Sequence, residues 1–234
     1  MLTENRVPET SSAAQANPTV PASERARIAV FVSGGGTNLQ ALIDAQNKGA
    51  LESGSIVLVV SSNPGAYALT RARDAGIDGV AVSKKALGSQ EAFEAAILAL
   101  LKRYGVELIV LAGFLSILSE DFVRRYPERI LNVHPSLIPS FCGKGFYGLR
   151  VHEEALRRGV KVTGATVHFV NEIPDGGRIL YQKAVEVREG DTPETLQRRV
   201  MEEAEWVLLP RAAETVSAEI VAGRTNKKHE GESI

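Results

Sequence analysis

The chain has 234 residues, with 27 Lys and Arg against 28 Asp and Glu for a formal charge of −1, and it is 44% hydrophobic and 24% charged. This composition excludes a fully disordered chain, suits one large or two small domains, and removes the electrostatic case for a general nucleic-acid binder. A single cysteine, Cys142, excludes an internal disulfide and a Cys-rich zinc site, and neither a membrane-length apolar run nor a signal-peptide core is visible, so the chain reads as cytoplasmic.

Residues 1–26 are rich in Ser, Ala, Pro, Thr and Glu without apolar periodicity, and read as a disordered extension. Apolar, β-branched runs then recur at 27–33, 55–61, 78–83, 107–113 and 129–134. Helical patterns fall between them at 38–48, 66–75, 90–103 and 119–125. Near-continuous apolar strands alternating with amphipathic helices predict a parallel sheet covered on both faces. Beyond His134 a glycine-bearing loop, 135–148, leads to a helix near 149–158 and two further strand-like runs, 164–170 and 178–187. A closing helix starts near Thr192, where Thr-Pro-Glu reads as an N-cap followed by proline at the first helical position. The expected fold is a doubly wound α/β domain over 27–222. Its sheet is mostly parallel, with an irregular C-terminal third that includes antiparallel strand, and residues 223–234 form a flexible tail. Ligands of such sheets bind outside the carboxyl ends of the strands.

The first strand exits through Ser33-Gly34-Gly35-Gly36-Thr37-Asn38 directly into a helix. Glycines let a ligand approach the backbone, and a helix N-terminus offers free N–H groups at the positive end of its dipole, so the match is a phosphate at Gly36, Thr37 and Asn38. The plainer alternative is a tight strand–helix turn. A dinucleotide fingerprint fails because Leu39 stands at its third glycine and the second strand ends Ser61-Ser62-Asn63 without an acid. The P-loop lysine is also missing, so a monophosphate fits better than NAD or ATP.

Asn132 and His134 are two residues apart, hence on one face at the end of the fifth strand, and Pro135 favours an extended His134. An amide beside an imidazole suits chemistry that builds negative charge on a carbonyl oxygen and moves a proton. Both could instead merely terminate a strand. Asp175, in Pro174-Asp-Gly-Gly, is either a carboxylate that orients the imidazole and favours its charged form, or an ordinary turn residue. Sequence separation does not show that the three meet. His168 either lines the same cleft or sits satisfied in the sheet; His152, on an amphipathic helix, reads as surface, and Cys142 as an incidental thiol.

Four motifs in order, 33–40, 112–118, 132–139 and Gly-Ala-Thr-Val-His-Phe-Val followed by Asp-Gly-Gly, resemble the folate-dependent phosphoribosylglycinamide formyltransferase family over about 27–222. The resemblance implies a Rossmann-like formyltransferase fold. It implies formyl transfer from 10-formyltetrahydrofolate to the amine of phosphoribosylglycinamide in purine synthesis, without a metal. It also implies that His134 is the catalytic histidine, Asn132 the formyl-oxygen donor and Asp175 the group that raises the histidine pKa. Gly36, Thr37 and Asn38 match its phosphate loop and Glu205 a glutamate near the ribose. Leu115, Ser116, Ile117 and Leu118 match the segment that receives the pterin, and Gln90 aligns with a folate-side residue. Ser116 and Gln90 depart from arginine and a basic residue found there in some members.

Three other functions compete. Formyltetrahydrofolate hydrolase would normally carry an N-terminal regulatory domain, methionyl-tRNA formyltransferase would need a C-terminal domain and a more basic surface, and a phosphosugar-binding module without turnover does not explain the Asn-x-His pair. The expected partners are small molecules, with neither nucleic acid nor membrane, and the chain is read as a monomer or homodimer.

Overall fold

Apolar runs without a polar face have to be covered on both sides. In the computed structural model, which describes residues 20–231, four of the five are, whereas the run 78–83 lies at the sheet edge and is largely exposed. β1 (Ala26–Val32) is central, flanked by β2 (Gly54–Ser61) and β4 (Leu108–Leu111), with β3 (Gly79–Ala81) and β5 (Ile130–His134) beyond them. These five are parallel. β6 (Val162–Phe169) and β7 (Ile179–Glu186) continue the same sheet antiparallel, giving the order β3-β2-β1-β4-β5-β6-β7.

Helices α1 (Thr37–Asn47) and α2 (Tyr67–Asp74) follow β1 and β2, and α3 (Lys84–Leu87) and α4 (Gln90–Arg103) separate β3 from β4. The short α5 (Glu120–Arg124) precedes β5, and α6 (Leu149–Arg158) precedes β6. The chain closes with α7 (Pro193–Val200), a π-helical turn (Met201–Glu205) and α8 (Trp206–Gly231). Alternate residues of β1 feed two cores. Ile28, Val30 and Val32 face Leu39 and Leu42 of α1 with Leu209, Ala213 and Val216 of α8, while Ala29 and Phe31 face Phe93, Ile97 and Leu101 of α4.

Helix starts follow side-chain caps. Ser89 Oγ accepts from the Ala92 N–H, Ser119 Oγ from the Phe122 N–H, and Thr192 forms a capping box with Thr195. The same chemistry shortens the third strand. Ser83 caps α3, so the run 78–83 supplies only three strand residues. The C-terminal third is more regular than its sequence suggests, with two eight-residue strands and a capped helix.

The tail expectation also differs. α8 runs to Gly231, and Arg224 donates to Glu107 Oε2 at 2.9 Å and to the Glu24 carbonyl at 3.1 Å, so the fold continues past residue 222. Of the N-terminal extension, residues 1–19 lie outside the described residues; a 3-10 turn at Ala22–Glu24 leads into β1.

Candidate active site

The glycine-rich loop leaves β1 at the carboxyl edge of the sheet. A Cβ on Gly34 or Gly35 would meet nothing within 4 Å, so these positions face open space, whereas one on Gly36 would lie 2.7 Å from Ala68 Cβ. Gly36 also holds φ +73°, where a side chain is strained. It is the N-cap of α1, so the N–H groups of Thr37 and Asn38 have no intrahelical acceptor and point outward with the dipole. The Asn38 side chain is otherwise engaged. Its amide nitrogen donates to Glu205 Oε2 at 2.6 Å, which leaves only the backbone of Asn38 for an anion. Glu205 sits on the π-helical turn, 6% exposed, and burial pushes its pKa up to about 7 despite the Asn38 bond. Asn38 Oδ1 is buried without a partner.

The second cluster forms where β5 meets β6. Their antiparallel register sets Asn132 opposite His168 and His134 opposite Thr166, so the pairing brings the two sequence-distant histidines to one face. His168 Nδ1 donates to the Phe169 carbonyl at 2.8 Å, and its Nε2 lies 3.2 Å from the Asn132 amide nitrogen. Asp175 reaches both rings, with Oδ2 3.6 Å from His134 Nδ1 and Oδ1 3.5 Å from His168 Nε2. The Gly143 N–H donates to Asp175 Oδ2 at 2.8 Å. Asp175 holds φ 56°, a strained conformation that aims its carboxylate into the cluster.

His134 is 4% exposed, and its Nε2 donates to the Phe141 carbonyl at 2.8 Å. Burial lowers its pKa and outweighs the lift from Asp175 and the Phe141 carbonyl. Asp175 thus raises the histidine pKa as expected, while the dryness of the site works against it, and both ring nitrogens face acceptors, the Phe141 carbonyl and the Asp175 carboxylate. For Asp175 the balance is the reverse. Burial raises its pKa, but the His168 bond, the His134 ring and the Gly143 N–H outweigh it and hold the carboxyl below its usual value.

The loop after β4 flanks this cluster, because Leu111 pairs with Asn132 in the sheet. Leu115 and Ile117 project into solvent from it, Leu118 packs against the α4 core, and Ser116 is half-buried. The Gln90 amide nitrogen lies under the loop, donating to Glu94 and to the Ile117 carbonyl.

Residues 26–212 match the formyl transferase family. The chain belongs to that family. The chain is 45% identical over 196 residues to the trifunctional purine biosynthetic protein adenosine-3 of Gallus gallus, covering 84% of the chain and 19% of that protein. It is 41% identical over 180 residues to a chloroplastic phosphoribosylglycinamide formyltransferase of Arabidopsis thaliana, covering 76% of the chain and 61% of the relative. The chain thus spans about a fifth of the trifunctional protein and under two thirds of the plant one. Among solved structures, glycinamide ribonucleotide transformylase 1 from Symbiobacterium toebii superposes with TM-score 0.78 at 42% identity over 84% of this chain and 89% of that one. Phosphoribosylglycinamide formyltransferase from Brucella melitensis gives 0.75 at 43%, over 83% and 96%.

The structure brings together Asn132, His134 and Asp175, and places His168 among them. Cross-strand pairing was the signal for His168, since Thr166 and His168 share a face of β6. His152 is fully buried rather than on the surface, neither of its ring nitrogens has a partner, and burial pushes its pKa to about 4. The Cys142 thiol is pushed up, first by burial and then by Asp175, which disfavours a thiolate. No group of three or more side chains suited to hold a metal ion, and no helix long and apolar enough to cross a membrane, occurs among the described residues.

Proposed function

We propose that this chain transfers the formyl group of 10-formyltetrahydrofolate to the amine of 5-phosphoribosylglycinamide, giving 5-phosphoribosyl-N-formylglycinamide and tetrahydrofolate in the cytoplasmic synthesis of purines. The observation that carries this reading is the convergence of Asn132, His134, His168 and Asp175 at the carboxyl end of β5, two strands across the sheet from the anion-suited loop that leaves the carboxyl end of β1. The substrate phosphate takes the backbone N–H groups of Thr37 and Asn38, and Glu205 lies beside Asn38 to accept from the ribose hydroxyls. The exposed Leu115 and Ile117 beside Asn132 offer an apolar face to the flat ring of the formyl donor, with Ser116 and Leu118 between and after them.

The donor supplies an activated formyl carbon. The amine attacks that carbon, a new C–N bond forms, and the bond to the donor nitrogen breaks as that nitrogen takes a proton. The Asn132 amide, held 3.2 Å from His168 Nε2, donates to the oxygen where negative charge builds. His134 takes the proton the amine sheds and returns it to the departing donor nitrogen through Nε2, once substrate displaces the Phe141 carbonyl from that atom, and Asp175, 3.6 Å from Nδ1, stabilises the imidazolium meanwhile.

A two-substrate assay tests the reading. Tetrahydrofolate should form only when glycinamide ribonucleotide is present. Release of formate without it would identify a hydrolase, and binding of the ribonucleotide without turnover would identify a phosphosugar module.

A further inference from the structure

The loop between β4 and α5 has two exposed apolar side chains, Leu115 at 67% and Ile117 at 80%, so little burial holds it. Its backbone is nevertheless tied at three points. The Leu115 N–H donates to Ser33 Oγ at 2.9 Å, the Ser119 N–H to Glu94 Oε1 at 2.6 Å, and the Gln90 amide to the Ile117 carbonyl at 3.0 Å. Gln90 Nε2 donates again to Glu94 Oε1 at 2.6 Å, and Glu94 is 8% exposed. Both partners of the Gln90 nitrogen are oxygens, which fixes the orientation of the amide and uses both its hydrogens inside the protein. Only its carbonyl oxygen, an acceptor, is left to offer a ligand. Charge-assisted bonds to a buried carboxylate are among the stronger side-chain interactions, so this arrangement can order a loop that packing does not.

We propose that Gln90 is a positioning residue for the formyl donor rather than its ligand. Through Glu94 and the Ile117 carbonyl it holds the backbone of 115–118 in the shape that receives the donor's ring. The inference rests on the transferase reading above. Without the clamp, ordering the loop falls to the donor itself, whose apparent affinity drops by the populated fraction.

Two variants decide it. Gln90→Met keeps the length of the side chain and removes both donations; Gln90→Glu keeps an outward acceptor oxygen but sets two carboxylates together. In the ligand-free protein, hydrogen exchange of the 115–119 amides should accelerate in both, and more in Gln90→Glu. KM for 10-formyltetrahydrofolate should rise about tenfold, the worth of roughly one such hydrogen bond, while KM for glycinamide ribonucleotide and the melting temperature stay near the parent values. A raised donor KM with parental exchange, or a Gln90→Glu variant that behaves like the parent, would make Gln90 a direct ligand and overturn the proposal. Parental KM and exchange in both variants would overturn it too. A parent that transfers no formyl group sinks the functional reading alone, and the exchange arm still upholds or overturns the clamp.

Discussion

The two regions of the proposed site, at the carboxyl ends of β1 and β5, are built by different means. At the glycine loop the functional groups are backbone N–H donors, held by a positive-φ glycine and a helix start, and one short side-chain bond, Asn38 to Glu205 at 2.6 Å, closes the arrangement behind them. At the β5–β6 edge the proposed chemistry falls to four side chains, at separations of 3.2–3.6 Å. A backbone site is set once the chain folds, whereas a site of titratable side chains has a charge state that changes during the reaction. Binding a fixed dianion suits the first, and moving a proton suits the second.

If this contrast holds, substitutions in the side-chain region should reduce turnover, and those in the backbone region should reduce binding and folding. The largest effect falls on Asn132→Ala and His134→Ala. Each should lower kcat on the order of 100-fold or more, with KM for glycinamide ribonucleotide little changed. Parental kcat in either variant would remove it from the site. Asp175→Asn comes next. Asn also tolerates positive φ, so the turn should survive with an unchanged melting temperature while kcat falls roughly tenfold or more. Losing the carboxylate removes a lift on the His134 pKa, so the acid limb of the pH–rate profile should move to lower pH; a profile that stays put would show that Asp175 acts on the turn alone.

In the backbone region, Gly36→Ala meets both the positive φ and Ala68. It should cost about 1–3 kcal/mol in stability by denaturant melt and raise KM for the ribonucleotide with kcat preserved. A silent variant would mean the loop is an ordinary turn. The smallest effect belongs to His152. Its folded pKa of about 4 lies below the unfolded value, so the stability it contributes is present above about pH 6.5 and lost as pH falls through 4. His152→Leu should therefore melt a few degrees less early than the parent at pH 5, a difference of about 1–2 kcal/mol, and match it at pH 8. Parallel acid limbs would show that His152 is hydrated in solution.

The parallel half was legible because its signals are local. Strand runs, the glycine loop and the serine and threonine caps each read from a few consecutive residues, and the loop's ligand class followed from the helix start. The parts that misled depend on pairing and burial. His152 reads as surface because its helix is amphipathic, yet it lies on the buried face with Val151 and Ala155. The charge of His134 is a balance between burial and Asp175, and sequence reveals the carboxylate but not how dry the pocket is. The Asn38 side chain looked free for a ligand until Glu205, 167 residues later, was found to hold it.

The Arg224 contact has a further consequence. Arg224 binds the Glu24 carbonyl and, through Glu107, the start of β1, where the Arg27 N–H donates to the same carboxylate. Both ends of the described chain are therefore fastened at the amino-end pole of the parallel strands, while the proposed site lies at the carboxyl end. Protein attached at either end departs from the pole opposite the site. Such an arrangement suits a unit that matches about a fifth of the length of a trifunctional relative, because neighbouring chain joins away from the proposed site.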